Sequence, residues 1–280
     1  MEKHKLSERK ACRLVNLNRS TYRYKTRKKE EVKLKIKIQN LVQLWPSYGY
    51  RRLHALLKKE GIKTNHKKIY RLYKELNLQL RRKKKKISYQ RPKNTKKSAE
   101  KPNQTWSMDF LSDSISTGRR IRILSVIDAY SRECLALEVD TSLSGERVCR
   151  VLEKICKEKG YPETIITDNG PEFRSKQFSK WLNHNKINWH PIEPGKPYQN
   201  GYIESFNGKF REECLNRHWF KNLKEARKLI EEWRKTYNEI RPHSSLNYMS
   251  PKEFLLEYCE DFLATPSSPH KGYGRINIHP

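Results

Sequence analysis

The first 104 residues carry 34 Lys and Arg against 7 Glu, a net charge of +27, whereas the following 176 carry 27 against 24, a net of +3. Solubility does not require the first balance, and like charge at that density opposes collapse around one shared core. A chain divided in this way folds as two parts with different tasks. The first part suits gripping a polyanion by releasing its counterions, and the nearly neutral second part carries the patterned apolar segments of a globular domain. Nucleic acid leads as the partner over an acidic membrane surface. The opening Met1-Glu-Lys-His-Lys leads into no apolar segment, and nowhere do 18 apolar residues run together. At 280 residues and 35% hydrophobic content there is room for one mid-sized domain and a smaller one.

Within the basic part, Ser7 and Asn18 each precede a short run suited to a helix. A further helix is expected from about Glu31 to Leu44, with Val32, Ile36 and Ile38 to Leu41 at roughly helical spacing and a stop at Trp45-Pro46. Tyr48 to Gly61 reads as a helix with Leu53, Leu56 and Leu57 on one face and Gly61 as its stop. After a turn, Asn65 caps a second helix in which Ile69, Leu72, Tyr73 and Leu76 face inward and Lys67, Lys68, Arg71 and Lys74 face outward. Helix, short turn with Gly, then a basic helix over 48–77 is the pattern of a helix-turn-helix, with Lys67, Lys68 and Arg71 as DNA-facing cations. Residues 1–86 form the basic helical region, and 87–103 a basic linker. Arg81 and Arg82, at the head of the run Arg81-Arg-Lys-Lys-Lys-Lys86, are placed to track a phosphate backbone; a nuclear-localisation run has the same composition.

From Gln104 the period changes. Thr105–Leu111, Arg120–Asp128 and Cys134–Asp140 are short, β-prone and separated by turn residues, as in three antiparallel strands. A helix over Ser144–Lys159, a buried strand over Glu163–Asp168, a helix over Ser175–Lys186 and a strand from Ile187 follow. Two further helices close the domain, one bearing Ile203, Phe206 and Phe210 inward and one spanning about Leu223 to Ile240. The expected fold is α/β: a ribonuclease H-like mixed five-stranded sheet with flanking helices over 104–260, preceded by the all-α region and followed by a tail, 261–280. The six cysteines are scattered without metal-site spacing and read as reduced thiols.

Three acids stand where an unpaired carboxylate is costly: Asp109 inside an apolar strand, Asp168 ending a buried strand, and Glu204 on a helix. Converging carboxylates are what hard divalent ions require, and two such ions about 3.5 to 4 Å apart serve strand cleavage and transfer by activating a nucleophile and stabilising the leaving oxygen. On its helix, Glu204 shares a stripe with Asn207 and Arg211, beside the buried stripe of Ile203, Phe206, Phe210 and Cys214. Asp113 and Asp128 rival Asp109 by position but read as turn residues, and His190, alone at a strand end, reads as structural.

Four blocks carry a resemblance: Trp106-Ser-Met-Asp-Phe, Ile127-Asp-Ala-Tyr-Ser-Arg-Glu-Cys-Leu, Thr167-Asp-Asn-Gly-Pro-Glu-Phe, and the run from Gly195 to Asn216. In order, with 35 residues between Asp168 and Glu204, they resemble the signature of bacterial insertion-sequence transposases of the retroviral-integrase-like DDE superfamily. The likeness extends to Tyr48-Gly-Tyr-Arg-Arg-Leu-His, Asn65 to Tyr73, and Arg241 to Pro251. It points to the second-reading-frame product of the "insertion sequence three" family. The resemblance implies metal-dependent nicking and strand transfer of DNA, with Asp109, Asp168 and Glu204 as catalytic residues and ligands of two Mg²⁺ or Mn²⁺ ions. It implies that Arg211 contacts DNA near the scissile phosphate and that Asn207 lies on the same DNA-facing stripe. Asn169 and Asn200 match flanking polar positions, as DNA contacts or as loop caps. A homo-oligomer on terminal-repeat and target DNA, an upstream-frame protein as fusion or subunit, and a bacterial cytoplasmic, nucleoid-associated setting are likewise expected. A nuclease of the same fold would share the acids, and a DNA-binding regulator would have no need of them.

Overall fold

A computed structural model describes residues 6–24, 28–80, 99–193 and 195–264. The chain divides into two compact units, Met1–Arg81 and Arg82–Pro280, and each is described by itself.

The first unit is helical: α1 (Glu8–Leu14), α2 (Arg19–Tyr22), α3 (Lys28–Leu44), α4 (Tyr50–Lys59) and α5 (His66–Glu75). The expected caps are in place. Ser7 Oγ accepts from Lys10 N–H, and Asn65 Oδ1 accepts from Lys67 N–H at 2.8 Å, each satisfying a donor that a helix start leaves open. Gly61 closes α4 at φ +78°, a left-handed position costly for any residue with a Cβ. One core joins α3, α4 and α5 through Leu34, Ile38, Leu41, Leu53, Leu57, Ile69 and Leu72. Here the reading of α3 is corrected. Val32 and Ile36 stay 55% and 52% exposed, because each lies two residues, about 200° of helix, from the stripe Leu34, Ile38, Leu41 that turns inward. On α5, Lys67 is exposed, but Arg71 and, at 3.8 Å, Lys68 both reach Glu31 on α3, so part of the expected cationic face is neutralised within the unit. Arg81 and Arg82 lie outside the described residues.

The second unit is built on a sheet ordered β3-β2-β1-β4-β5, from β1 (Thr105–Ser114), β2 (Arg120–Asp128), β3 (Cys134–Asp140), β4 (Thr164–Thr167) and β5 (Asn188–Pro191). The first three strands pair antiparallel as hairpins; β4 joins β1 and β5 joins β4 in parallel, each reached through a helix. Strand alternation fills both faces. Trp106, Met108, Leu124 and Val126 pack under α6 (Gly145–Lys159) and α7 (Lys176–His184). Leu111, Ile121, Ile123 and Ile127 pack under α8 (Gly201–Glu213) and α9 (Leu223–Glu239).

Two polar clamps fix α8 and α9 where the site needs them. Asn238 of α9 accepts from Cys134 N–H at 2.8 Å and donates to its carbonyl at 2.9 Å. Arg241, 1% exposed, grips Glu213 at the end of α8 through two hydrogen bonds of 2.8 and 2.6 Å. Residues 99–103, expected to end the linker, belong to this unit: Asn103 N–H donates to Asp128 Oδ2 at 2.8 Å, and Asn103 Oδ1 accepts from Trp106 Nε1 at 3.1 Å. At the other end α10 (Pro251–Ala264) continues past residue 260, where the tail was expected to begin; 265–280 lie outside the described residues. All six cysteines are free, and no described helix is long and apolar enough to cross a membrane.

Candidate active site

Alternation along β1 turns Ser107, Asp109 and Leu111 toward α8, so Asp109 enters a mostly apolar interface from the middle of a strand. The parallel ladder pairs Thr105, Trp106 and Ser107 with Thr164, Ile165 and Ile166; continued two residues past its last bridge, it brings Asp168 alongside Asp109. Glu204, exposed, stands in the first turn of α8. Burial pushes the Asp109 carboxyl up to about 6, against hydrogen bonds that favour its charged form, and the negative charges of Asp168 and then Glu204 add to the rise. Asp109 therefore senses both of the other acids, which stand on two other parts of the domain. Among the described residues no Lys or Arg pairs with any of them, and no three or more His, Cys, Asp or Glu side chains stand close enough together to hold a metal ion.

The supporting hydrogen bonds are specific. Asp109 Oδ1 accepts from Phe110 N–H and Oδ2 from Asn207 Nδ2, both at 2.8 Å. Ser125 Oγ, directly across from Asp109 on β2, lies 2.9 Å from Asn207 Oδ1 and 3.0 Å from the Asp109 carbonyl, and its single proton serves one of them at a time. Asp168 Oδ1 accepts from Gly170 N–H at 3.1 Å, and a Cβ at Gly170 would come to 3.2 Å from that same oxygen. Only glycine gives the amide this approach without crowding.

The other expected residues fall in distinct places. Asn207 is buried and its amide is committed to Asp109 and Ser125. Asn200, also buried, donates to the Met108 carbonyl at 3.2 Å and so ties the start of α8 to β1. Asn169 is exposed and donates to the Ile192 carbonyl. Arg211 is exposed and reaches the Ser112 carbonyl at 3.2 Å, one end of β1 away from the acids. Asp128 accepts from three backbone amides and the Ser131 hydroxyl and closes the β2–β3 turn; Glu172 is taken up by Arg122. His190 is exposed on β5. Sequence reasoning missed Ser125, although a lone hydroxyl within Ile-Leu-Ser-Val-Ile was its signal.

Two integrase core domain families match residues 99–197 and 185–251, and an HTH-like domain family matches 28–86, which takes in α3 as well as the expected helix-turn-helix. The 31.7 kDa protein of insertion element IS407 from Burkholderia multivorans is 45% identical over 258 residues, 92% of this chain and 93% of its own length. The chain belongs to the insertion-element transposase family. As a member it is a polynucleotidyl transferase of the DDE transposase/integrase type, matching the second-reading-frame group. Transposase InsD of insertion element IS2A/D/F/H/I/K from Escherichia coli is 28% identical over 246 residues, covering 82% of this chain and 81% of InsD. In fold, the transposase is similar to a chain of the simian T-cell lymphotropic virus intasome in complex with PP2A regulatory subunit B56 gamma, with TM-score 0.52, 16% identity, and 87% and 80% of the two chains covered. That likeness, together with the sheet order, makes the fold ribonuclease H-like.

Proposed function

We propose that this transposase nicks the ends of its element and transfers the freed 3′-hydroxyl to a second phosphodiester, with Asp109, Asp168 and Glu204 as the catalytic acids. The observation that carries the reading is the perturbed Asp109 carboxyl, half-buried and raised in part by the charge of the other two acids, with no cation among the described residues to offset them. An all-carboxylate set suits a hard divalent ion better than zinc or copper, which favour imidazole and thiolate ligands. Two Mg²⁺ or Mn²⁺ ions held by these acids would supply nucleophile activation and charge stabilisation at the leaving oxygen.

The chain's own residues supply the rest. Asn207 and Phe110 N–H fix the orientation of Asp109, and Gly170 N–H fixes that of Asp168, so the acids keep their directions as the phosphodiester arrives. Arg211 on the exposed end of α8, with Asn169, is available to phosphate oxygens, while Lys67, Lys68 and Arg71 serve the helix-turn-helix. Arg81 and Arg82 extend the cationic path. Asn200 and Asn207 act as positioning residues in this scheme. The enzyme works as a homo-oligomer on paired DNA ends, with the upstream-frame protein as fusion or subunit, in the bacterial cytoplasm at the nucleoid.

The test is strand transfer on labelled element-end DNA in Mg²⁺, with and without the upstream-frame protein. Asp109→Asn, Asp168→Asn and Glu204→Gln should each abolish joined product while leaving DNA binding intact. Full joining by any one of the three variants overturns the triad.

A further inference from the structure

Besides the site of the three acids, the second unit holds a cavity of about 660 Å³ on the α8 side of the sheet, and none of those acids lines it. Helix α8 separates the two places. Tyr202, Ser205, Phe206 and Lys209, at i, i+3, i+4 and i+7, turn one flank to the cavity, while Glu204, Asn207 and Arg211 lie on the opposite flank, across the buried stripe of Ile203 and Phe210. The electrostatics differ as sharply: among the described residues no Asp or Glu lines the cavity.

Arg132, on the turn after β2, holds its guanidinium 3.8 Å from the centre of the Tyr202 ring and donates to the Ala129 carbonyl. Among the described residues it makes no ion pair with a carboxylate, so its charge faces the cavity uncompensated. Lys209 adds a second cation, bonded to Ser205 at 3.0 Å. Ser244 and Ser245, from the Arg241–Pro251 block that strand transfer leaves without a task, bring exposed hydroxyls to the rim. Ile166 and the Tyr202 ring bring apolar surface to the cavity, and Ile127 and Phe206, each 1% exposed, close it from beneath. Cations and hydroxyls above an apolar floor, with no acid, suit a ligand that is anionic at one end and flat and apolar at the other.

We propose that this cavity is a nucleotide subsite. It takes a nucleoside monophosphate, either free or as one nucleotide of a DNA strand crossing α8, with phosphate on Arg132 and the Ser244 and Ser245 hydroxyls and the base against Ile166 and Tyr202. The DNA source rests on the transposase reading; the free source does not. The cavity volume lies within the range of about 300 to 1,000 Å³ usual for ligand sites.

The test uses the full chain and two variants, Arg132→Gln, which removes the cation, and Ser245→Glu, which brings a negative charge to the rim from an exposed position and leaves the core untouched. Thymidine 5′-monophosphate is titrated calorimetrically, and 5-iodouracil-substituted element-end DNA is photo-crosslinked and mapped by mass spectrometry. Saturable monophosphate binding, weakened about tenfold in each variant as expected for one lost charge-assisted hydrogen bond, supports the free source. A crosslink to the peptides carrying Tyr202 or Tyr237, lost in both variants, supports the DNA source. If neither signal occurs, or if the variants match the parent in both, the subsite is overturned even where the chain still binds DNA elsewhere. Failure of the chain to bind DNA at all removes the transposase reading, and monophosphate binding would still uphold the subsite.

Discussion

Removing the charge of Asp109 should make the folded protein more stable while destroying its chemistry. The ordinary carboxyl value is 3.8, and burial beside Asp168 and Glu204 raises it to about 6. A rise of that size corresponds to a ceiling of about 3 kcal/mol against the ionised fold. Asp109 keeps part of its surface in solvent, which screens the charge, so an effect of about 1 to 2 kcal/mol is expected. The sign follows from linkage. The folded-state value lies above the unfolded one, so as pH rises the unfolded chain loses its proton first. The penalty is absent below the unfolded value, grows between about 4 and 6, and is constant above. Asp109→Asn removes it. The hydrogen bonds can adapt: the new amide oxygen still accepts from Phe110 N–H, and Asn207 can flip so that its Nδ2 donates to Ser125 Oγ, which then donates to the Asp109 carbonyl. Urea unfolding in EDTA should therefore show Asp109→Asn more stable than the parent by about 1 to 2 kcal/mol at pH 7.5 and equal to it near pH 4. Added Mg²⁺ should stabilise the parent and leave the variant behind, since a ligand of the folded state alone shifts stability by mass action. A variant less stable at pH 7.5, or a difference that does not change with pH, would refute the electrostatic account of this site.

Two further outcomes follow from the clamps and the basic helix. Arg241→Leu strips the bidentate partner from the buried Glu213 carboxylate and should cost about 3 to 5 kcal/mol in urea unfolding, most of it recovered in Arg241→Leu/Glu213→Leu. Lys67→Ala should flatten the slope of log binding constant against log salt by about one, and Arg71→Ala by less, because Glu31 already neutralises Arg71; fluorescence anisotropy of labelled DNA reads both.

Much of this was legible along the chain because it is local. The caps at Ser7, Asn18 and Asn65, the stop at Gly61, and the period-two strands each depend on a few neighbouring residues. Where two helical stripes compete, as in α3, local pattern fails: Val32 and Leu34 are both apolar, and only the placement of α4 and α5 selects Leu34 for the core. Asn207 illustrates the same limit. By spacing it belongs with Glu204 and Arg211 on an outward stripe, yet β1 and β2 meet α8 closely enough to bury it against Asp109 and Ser125. Sequence by itself determined the division by charge and the order of elements, and it singled out the three acids as candidates. Tertiary structure decided which polar groups are spent inside the fold, that Asp109 is perturbed, and that one flank of α8 faces the acids while the other faces a cavity lined, among the described residues, by no acid. These depend on desolvation and on charges 59 and 95 residues away from Asp109 in the chain, which no local pattern encodes.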